Sequence, residues 1–270
     1  MAYTDWYHEV SENWLAARKS IITASELVGL IPEYKRQCKS KEPEALPKAC
    51  VTLYGKKLER PTLKEIASYK DAARGHIMEP YAVEDYNAQC SEIQYYHWDD
   101  VVIYSSDKLV GWSPDATDIP CISTYIPSLQ VTNTALCTRL GADTGQTIHH
   151  ALEIKSYGSE HHMKNIYTDP QELPERYQLA VGFLTVPTLE DITLVHYNPN
   201  IPEYSFYAYT YMRRDLAEEI QYMQNVAAMW ANAVHNLSKL HLPYKASVTE
   251  DEVHANYLAT QEKLYDNQLR

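Results

Sequence analysis

Nowhere does this sequence carry an apolar run near the roughly 18 residues that a membrane-spanning helix needs, so a helical membrane protein is not expected. The five cysteines, at 38, 50, 90, 121 and 137, include no C-x-x-C pair, and no histidine spacing completes a zinc set. An odd count without an export signal argues against a disulfide framework as well, which leaves reduced thiols. The opening stretch MAYTDWYHEVSENW has neither a basic leader nor an apolar segment, and a cytoplasmic protein is expected from it. Internal repeats and low-complexity tails are missing too, and 23 scattered tyrosines do not make a base-stacking platform. Basic residues are scarce: 24 Lys and Arg against 36 Asp and Glu leave a net charge of −12. Phosphate contacts come mostly from Lys and Arg, so this charge is awkward for a nucleic-acid binder without excluding one, since a groove can be locally basic inside an acidic molecule.

What is present centres on Val110 to Tyr157. Gly111-Trp112-Ser113-Pro114-Asp115 opens the stretch, and Leu152-Glu153-Ile154-Lys155-Ser156 closes it. The strand period of two sends Glu153 and Lys155 to one face and Ile154 to the other. An aspartate after a Ser-Pro turn and a strand reading Glu-x-Lys bring two carboxylates and an ammonium to neighbouring strand ends, where a hard divalent cation finds oxygen ligands. The pattern outlines a metal-dependent nuclease core. The same residues also suit a solvated turn and an amphipathic strand with an exposed ion pair.

Around this stretch the apolar spacing predicts a helix over 5–19, with Trp14 and Arg18 one turn apart, and a second from Thr23, where Thr23-x-x-Glu26 is a capping box. Thr23 and Ser25 read either as an ordinary helix start or, with Arg18, as a phosphate site. Residues 36–61 read as a surface excursion holding at most one short helix. Thr62 opens a long helix to Asn87, with Leu63, Ile66, Ala67, Ala73, Ile77, Tyr81 and Val83 on its apolar face and Pro80 disturbing it beside Glu79, by default an exposed glutamate. Strands of a meander are expected at 92–98, 100–105 and 108–112, and an inserted loop or hairpin at 117–149. The pairs His149-His150 and His161-His162 are read as strand neighbours pointing apart, which is unsuitable for metal. A helix over 170–186 carries Pro174 near its first turn and Gln178. Strands follow at 191–197 and 204–212, then a helix from Arg213 to about Lys239 and another capped at Thr249. The whole reads as one domain over 1–270, with a core of about 14–212 and a helical C-terminal extension of about 213–270.

In order along the chain stand Trp14-x3-Arg18 with Ile22-Thr23-Ala24-Ser25-Glu26, Gly75-x3-Glu79, Ser113-Pro114-Asp115, Leu152-Glu153-Ile154-Lys155, and Tyr177-Gln178. This ordered set resembles the phage lambda exonuclease family of viral recombination nucleases, within the PD-(D/E)xK superfamily. The resemblance implies an α/β (α+β) fold with a restriction-endonuclease-like core, a central mixed sheet flanked by helices, and C-terminal helices. It further implies that Asp115, Glu153 and the Ile154 carbonyl ligate Mg²⁺ (or Mn²⁺), that Glu79 holds a second ion, and that Lys155 and Gln178 position the water. Arg18 and Ser25 would receive the 5′-phosphate. The implied partners are double-stranded DNA ends, two further copies in a trimeric ring and a single-strand annealing protein; the implied products are 3′ overhangs. Residues 117–149 and the apolar segment YMQNVAAMWANAVHNL are the candidate ring contacts. In this sequence Ser156-Tyr157 follows the lysine, where Cys-Pro is common. Another nuclease of the superfamily, of CRISPR adaptation or restriction type, and a non-enzymatic DNA-end-binding protein are the competing readings.

Overall fold

The computed structural model describes residues 21–58, 70–89, 92–98, 103–104, 110–119 and 147–239. The helix expected over 5–19, the start of the one expected from Thr62, most of the 117–149 insertion and the helix expected from Thr249 lie outside these residues.

The architecture is a mixed sheet flanked by helices. Five strands are ordered β2 (Tyr96–His97), β5 (Ala116–Thr117), β6 (His150–Lys155), β7 (Asp191–Tyr197) and β8 (Phe206–Met212). β6 and β7 run parallel, with Glu153 beside Leu194 and Lys155 beside His196, and the other pairs are antiparallel. A smaller sheet sets β4 (Val110–Trp112) between β1 (Ile22–Thr23) and β3 (Ile103–Tyr104). The expected three-strand meander is therefore split. β3 and β4 pair with each other, whereas β2 joins the large sheet through β5.

β6 and β7 are buried on both faces because helices cover both, which is the usual fate of parallel neighbours. On one face, Ala151, Ile192 and Leu194 join a core built with α1 (Ala24–Gly29), α6 (Arg176–Thr185) and α7 (Ala217–Lys239). On the other, Leu152, Ile154, Val195 and Tyr197 pack with Ala82, Val83 and Tyr86 of α4 (Lys70–Gln89). The apolar face of α4 is the expected one only in part: Val83 is buried, whereas Ile77 and Tyr81 are exposed. Pro80 is accommodated inside the helix.

Residues 36–61 hold more helix than expected, with α2 (Ile31–Lys39) running into them and α3 (Lys48–Leu58) following. The single helix expected over 170–186 is a 3₁₀ turn at Pro170–Glu172 followed by α6, with Pro174 two residues before α6 begins at Arg176. Two features seat α6. A Cβ on Gly182 would lie 2.9 Å from Ile192 Cδ1 and 3.0 Å from Trp112 Cε2, so only glycine lets the helix press this close to both sheets. At its C-terminal end the Arg213 guanidinium donates to the carbonyls of Phe183, Val186, Pro187 and Leu189 and lies 5.0 Å over the Phe183 ring.

The apolar side chains of α7 are taken up by this core. Met223, Val226, Trp230 and Ala233 are buried, and the Tyr222 ring meets Tyr34 edge-on at 5.2 Å. The segment singled out for ring contacts is thus explained by packing within one chain. Among the described residues, no helix is long and apolar enough to cross a membrane, and Cys38 and Cys50 are free thiols.

Candidate active site

Asp115 stands where the chain leaves the small sheet at Trp112 and enters the large one at Ala116. Three bonds fix that crossing. Trp98 N donates to the Asp115 carbonyl at 2.9 Å, Asp115 N donates to Leu152 O at 3.3 Å, and Ile154 N donates to Asp115 Oδ2 at 2.6 Å. The carboxylate is thereby pinned to the strand that carries Glu153 and Lys155, two residues apart on one face.

Glu153, only 2% exposed, is the hub of that face. Its Oε1 accepts from Lys155 Nζ at 2.6 Å and from Gln178 Nε2 at 2.6 Å, and its Oε2 accepts from Trp112 Nε1 at 3.4 Å. A buried carboxylate needs such donors, and here they come from β4, β6 and α6. Glu79 reaches the same neighbourhood from α4. It is 8% exposed, contrary to the default for a lone helix glutamate, with His97 Nε2 3.6 Å from its Oε2.

These groups act on one another electrostatically. Burial, then Glu153, then Glu79 push the Asp115 carboxyl well above the usual carboxylate range. For Lys155 burial alone would lower the ammonium, but Glu153 and Asp115 outweigh it and hold the group above the ordinary lysine value. Among the described residues the site thus sets Asp115, Glu153 and Glu79 around the Lys155 ammonium. A divalent cation suits this donor chemistry, with Asp115 and Glu153 as carboxylate ligands and strand carbonyls beside them. Among the described residues no three His, Cys, Asp or Glu side chains are arranged around one ion, so the fit rests on two carboxylates.

Five residues singled out from the sequence, Glu79, Asp115, Glu153, Lys155 and Gln178, thus converge, with Ile154 bonded to Asp115. Arg18 lies outside the described residues. Ser25 is exposed on the first turn of α1, its Oγ 3.4 Å from Thr23 Oγ1. The Glu26 carboxylate at that turn takes Thr23 N at 2.8 Å, Thr23 Oγ1 at 2.9 Å and Lys57 Nζ at 2.6 Å. A phosphate arriving there would meet this carboxylate as well as Lys57. Trp112 was missed in the sequence, although it stands one residue before Ser113-Pro114-Asp115.

Residues 13–183 match the YqaJ-like viral recombinase domain. The chain belongs to that family. The match runs from before β1 through nearly all of α6, and so takes in every residue of the converging set. Two solved structures share the fold seen here: LHK-Exo in complex with dAMP, and the alkaline exonuclease LHK-Exo from Laribacter hongkongensis. Each is 16% identical and covers 85% of this chain, with 96% and 100% of the other chain covered and TM-scores of 0.54 and 0.50. No curated relative matches. Family and fold agree with the resemblance to the lambda exonuclease family that the ordered motifs carry.

In the histidine pairs of this YqaJ-type domain, His149, His150 and His162 each meet a protein partner. His149 Nδ1 lies 3.1 Å from Glu190 Oε1 and His150 Nδ1 2.7 Å from Asp191 Oδ2. His161 and His162 stand on α5 (Ser159–Ile166), a helix and not the expected strand. There His162 Nε2 meets the Tyr204 carbonyl at 2.6 Å.

Beside Lys155 in register, His196 is fully buried, and burial pushes its imidazole down to about 4. An unfolded chain takes up this proton near pH 6.5. Stability contributed by the neutral ring is therefore present above about pH 6.5 and lost as pH falls toward about 4. His196→Gln is expected to flatten the acid side of the Tm–pH profile in that window. An unchanged slope would assign the acid lability to other groups.

Proposed function

We propose that this chain is a Mg²⁺-dependent 5′-to-3′ exodeoxyribonuclease that digests one strand of a duplex end and leaves 3′ overhangs for recombination. The observation that carries the reading is the convergence of Lys155 Nζ and Gln178 Nε2 on one oxygen of buried Glu153, with Asp115 bonded to the next residue of the strand. Asp115, Glu153 and the Ile154 carbonyl would hold the cation, and Glu79 would hold a second one directly or through water. What such cations supply is charge neutralisation at the phosphate and a more acidic water. The Lys155 ammonium, held above the ordinary lysine value by Glu153 and Asp115, would serve as a positive donor beside the water and the phosphate. Gln178 orients the water through its amide while staying bonded to Glu153.

Arg18 and Ser25 would then read the 5′-phosphate, and three copies would close a ring around the duplex. The charge of −12 supports the ring, since topology can replace the electrostatic grip that so few basic residues provide. An annealing protein would take up the released strand. Residues 1–270 would form one nuclease domain, with α7 already part of its core.

A time course on 5′-phosphorylated linear duplex, its 5′-hydroxyl counterpart and a nicked circle, with Mg²⁺ or with EDTA, tests the reading. Rapid digestion of the phosphorylated linear duplex alone, abolished by EDTA, is expected. Cleavage that persists in EDTA, or an intact linear substrate in Mg²⁺, overturns the nuclease assignment. Equal rates on both 5′ ends remove Arg18 and Ser25 as phosphate readers, and a monomer by light scattering with activity intact removes the ring.

A further inference from the structure

Immediately beyond Lys155 the chain makes a second link to the helix that carries Gln178. The Tyr157 hydroxyl donates to Glu175 Oε1 at 2.5 Å. Glu175 is 7% exposed and caps the start of α6, with Leu179 N bonded to its carbonyl at 3.0 Å and Gln178 one turn further on. Tyr157 is itself held on three sides. Asn198 Nδ2 donates to its carbonyl at 3.0 Å, the His161 ring stacks on it at 4.1 Å with an interplanar angle of 4°, and the His196 ring lies 5.8 Å away. The contacts close a circuit: Glu153 to Lys155, along the backbone to Tyr157, across to Glu175, along α6 to Gln178, and back to Glu153.

From this circuit, and resting on the nuclease reading above, we propose that Tyr157 and Glu175 are positioning residues for the hydrolytic centre. Their phenol–carboxylate bond ties the end of β6 to the first turn of α6. It keeps the Lys155 ammonium and the Gln178 amide on the same carboxylate oxygen. Without it the start of α6 keeps the Arg176–Glu219 ion pair to α7, the core packing of Leu179 and Ala180 and the Gln178–Glu153 bond itself, but loses the bond that joins its N-terminal residue to the end of β6. A tilt of the first turn would then shift the Gln178 amide by a fraction of an ångström, which suffices to spoil a near-attack geometry. A carboxylate acceptor buried beside a phenol makes this a short, charge-assisted bond with a fixed direction, suited to holding a distance. Burial and the Glu175 carboxylate both push the Tyr157 phenol up, so the donor keeps its proton throughout the pH range of the reaction.

The test is steady-state cleavage of phosphorylated linear duplex by the full chain, with duplex binding and Tm measured on the same variants. Tyr157→Phe is expected to lower kcat by about 10- to 100-fold while KM and duplex affinity stay near wild type. Glu175→Leu should do the same. Glu175→Gln, whose carbonyl still accepts the phenol, should retain kcat within about threefold, because the bond becomes neutral but is not lost. In a double-mutant cycle the Tyr157→Phe/Glu175→Leu pair should be no slower than either single variant. Wild-type kcat for Tyr157→Phe, or losses that multiply in the pair, overturns the positioning role. So does a fall in Tm with kcat per folded molecule unchanged, the mark of a purely structural bond. Wild-type protein that is inactive in Mg²⁺ overturns instead the nuclease reading on which the proposal rests.

Discussion

Lys155→Ala is expected to cut turnover by about 10²- to 10⁴-fold while leaving metal-dependent duplex binding in place, the range commonly lost with a proton-handling or charge-stabilising group. The wild-type ammonium is 2.6 Å from Glu153 Oε1 and lies within the influence of Asp115. Removing it leaves Glu153 with Gln178 and Trp112 as its described donors. A buried carboxylate stripped of its cation destabilises a fold by about 3 kcal/mol, so Tm measured in EDTA should fall. Mg²⁺ should then raise Tm more in the variant than in the wild type, because the added cation meets an undercompensated pair of carboxylates. Activity within tenfold of wild type, at saturating Mg²⁺, removes Lys155 from the mechanism. An equal Mg²⁺ shift in both proteins would place the cation away from Glu153.

Much of this site was legible because its geometry is local. The period of two along β6 alone puts Glu153 and Lys155 on one face, and the Ser-Pro turn alone places Asp115 at a strand start. Neither depends on how the rest of the chain packs. Glu79 was legible as a position but not as a buried group, since its burial comes from α4 lying against β2 and β6, contacts between segments distant in sequence. Ile77 and Tyr81 were assigned inward for the same reason: helical periodicity gives a stripe, and only the tertiary partner decides which stripe is covered. The surplus of apolar residues on α7 suggested contacts between copies, whereas α1, α3 and α6 of the same chain cover them. Trp112 and the Tyr157–Glu175 bond depended on pairings 41 and 18 residues apart, and no short motif announces those.

Asp115→Asn is expected to separate stability from chemistry by moving them in opposite directions. In the metal-free protein burial, Glu153 and Glu79 all oppose a charge on Asp115. The amide keeps the acceptor needed for Ile154 N and removes that charge, so Tm in EDTA at neutral pH should rise by a few degrees, about 1 kcal/mol or more for a chain of this size. The sign of the pH dependence follows from the raised carboxyl. Below the ordinary carboxylate range both folded and unfolded wild-type chains hold the proton, so the two proteins should have similar Tm. As pH climbs, the unfolded chain releases its proton first, the folded wild type loses stability, and the advantage of the amide grows until the folded-state group has also ionised. With Mg²⁺ the order should invert. The wild type gains from a ligand bound only in the folded state, whereas the amide is a poorer ligand for a hard cation and gains little. Cleavage should fall to background. A variant less stable than wild type in EDTA at neutral pH would show that the Asp115 charge is satisfied by its own hydrogen bonds and that the carboxylates do not repel across the site. Retention of a Mg²⁺-induced Tm shift together with cleavage would remove Asp115 from the metal site altogether.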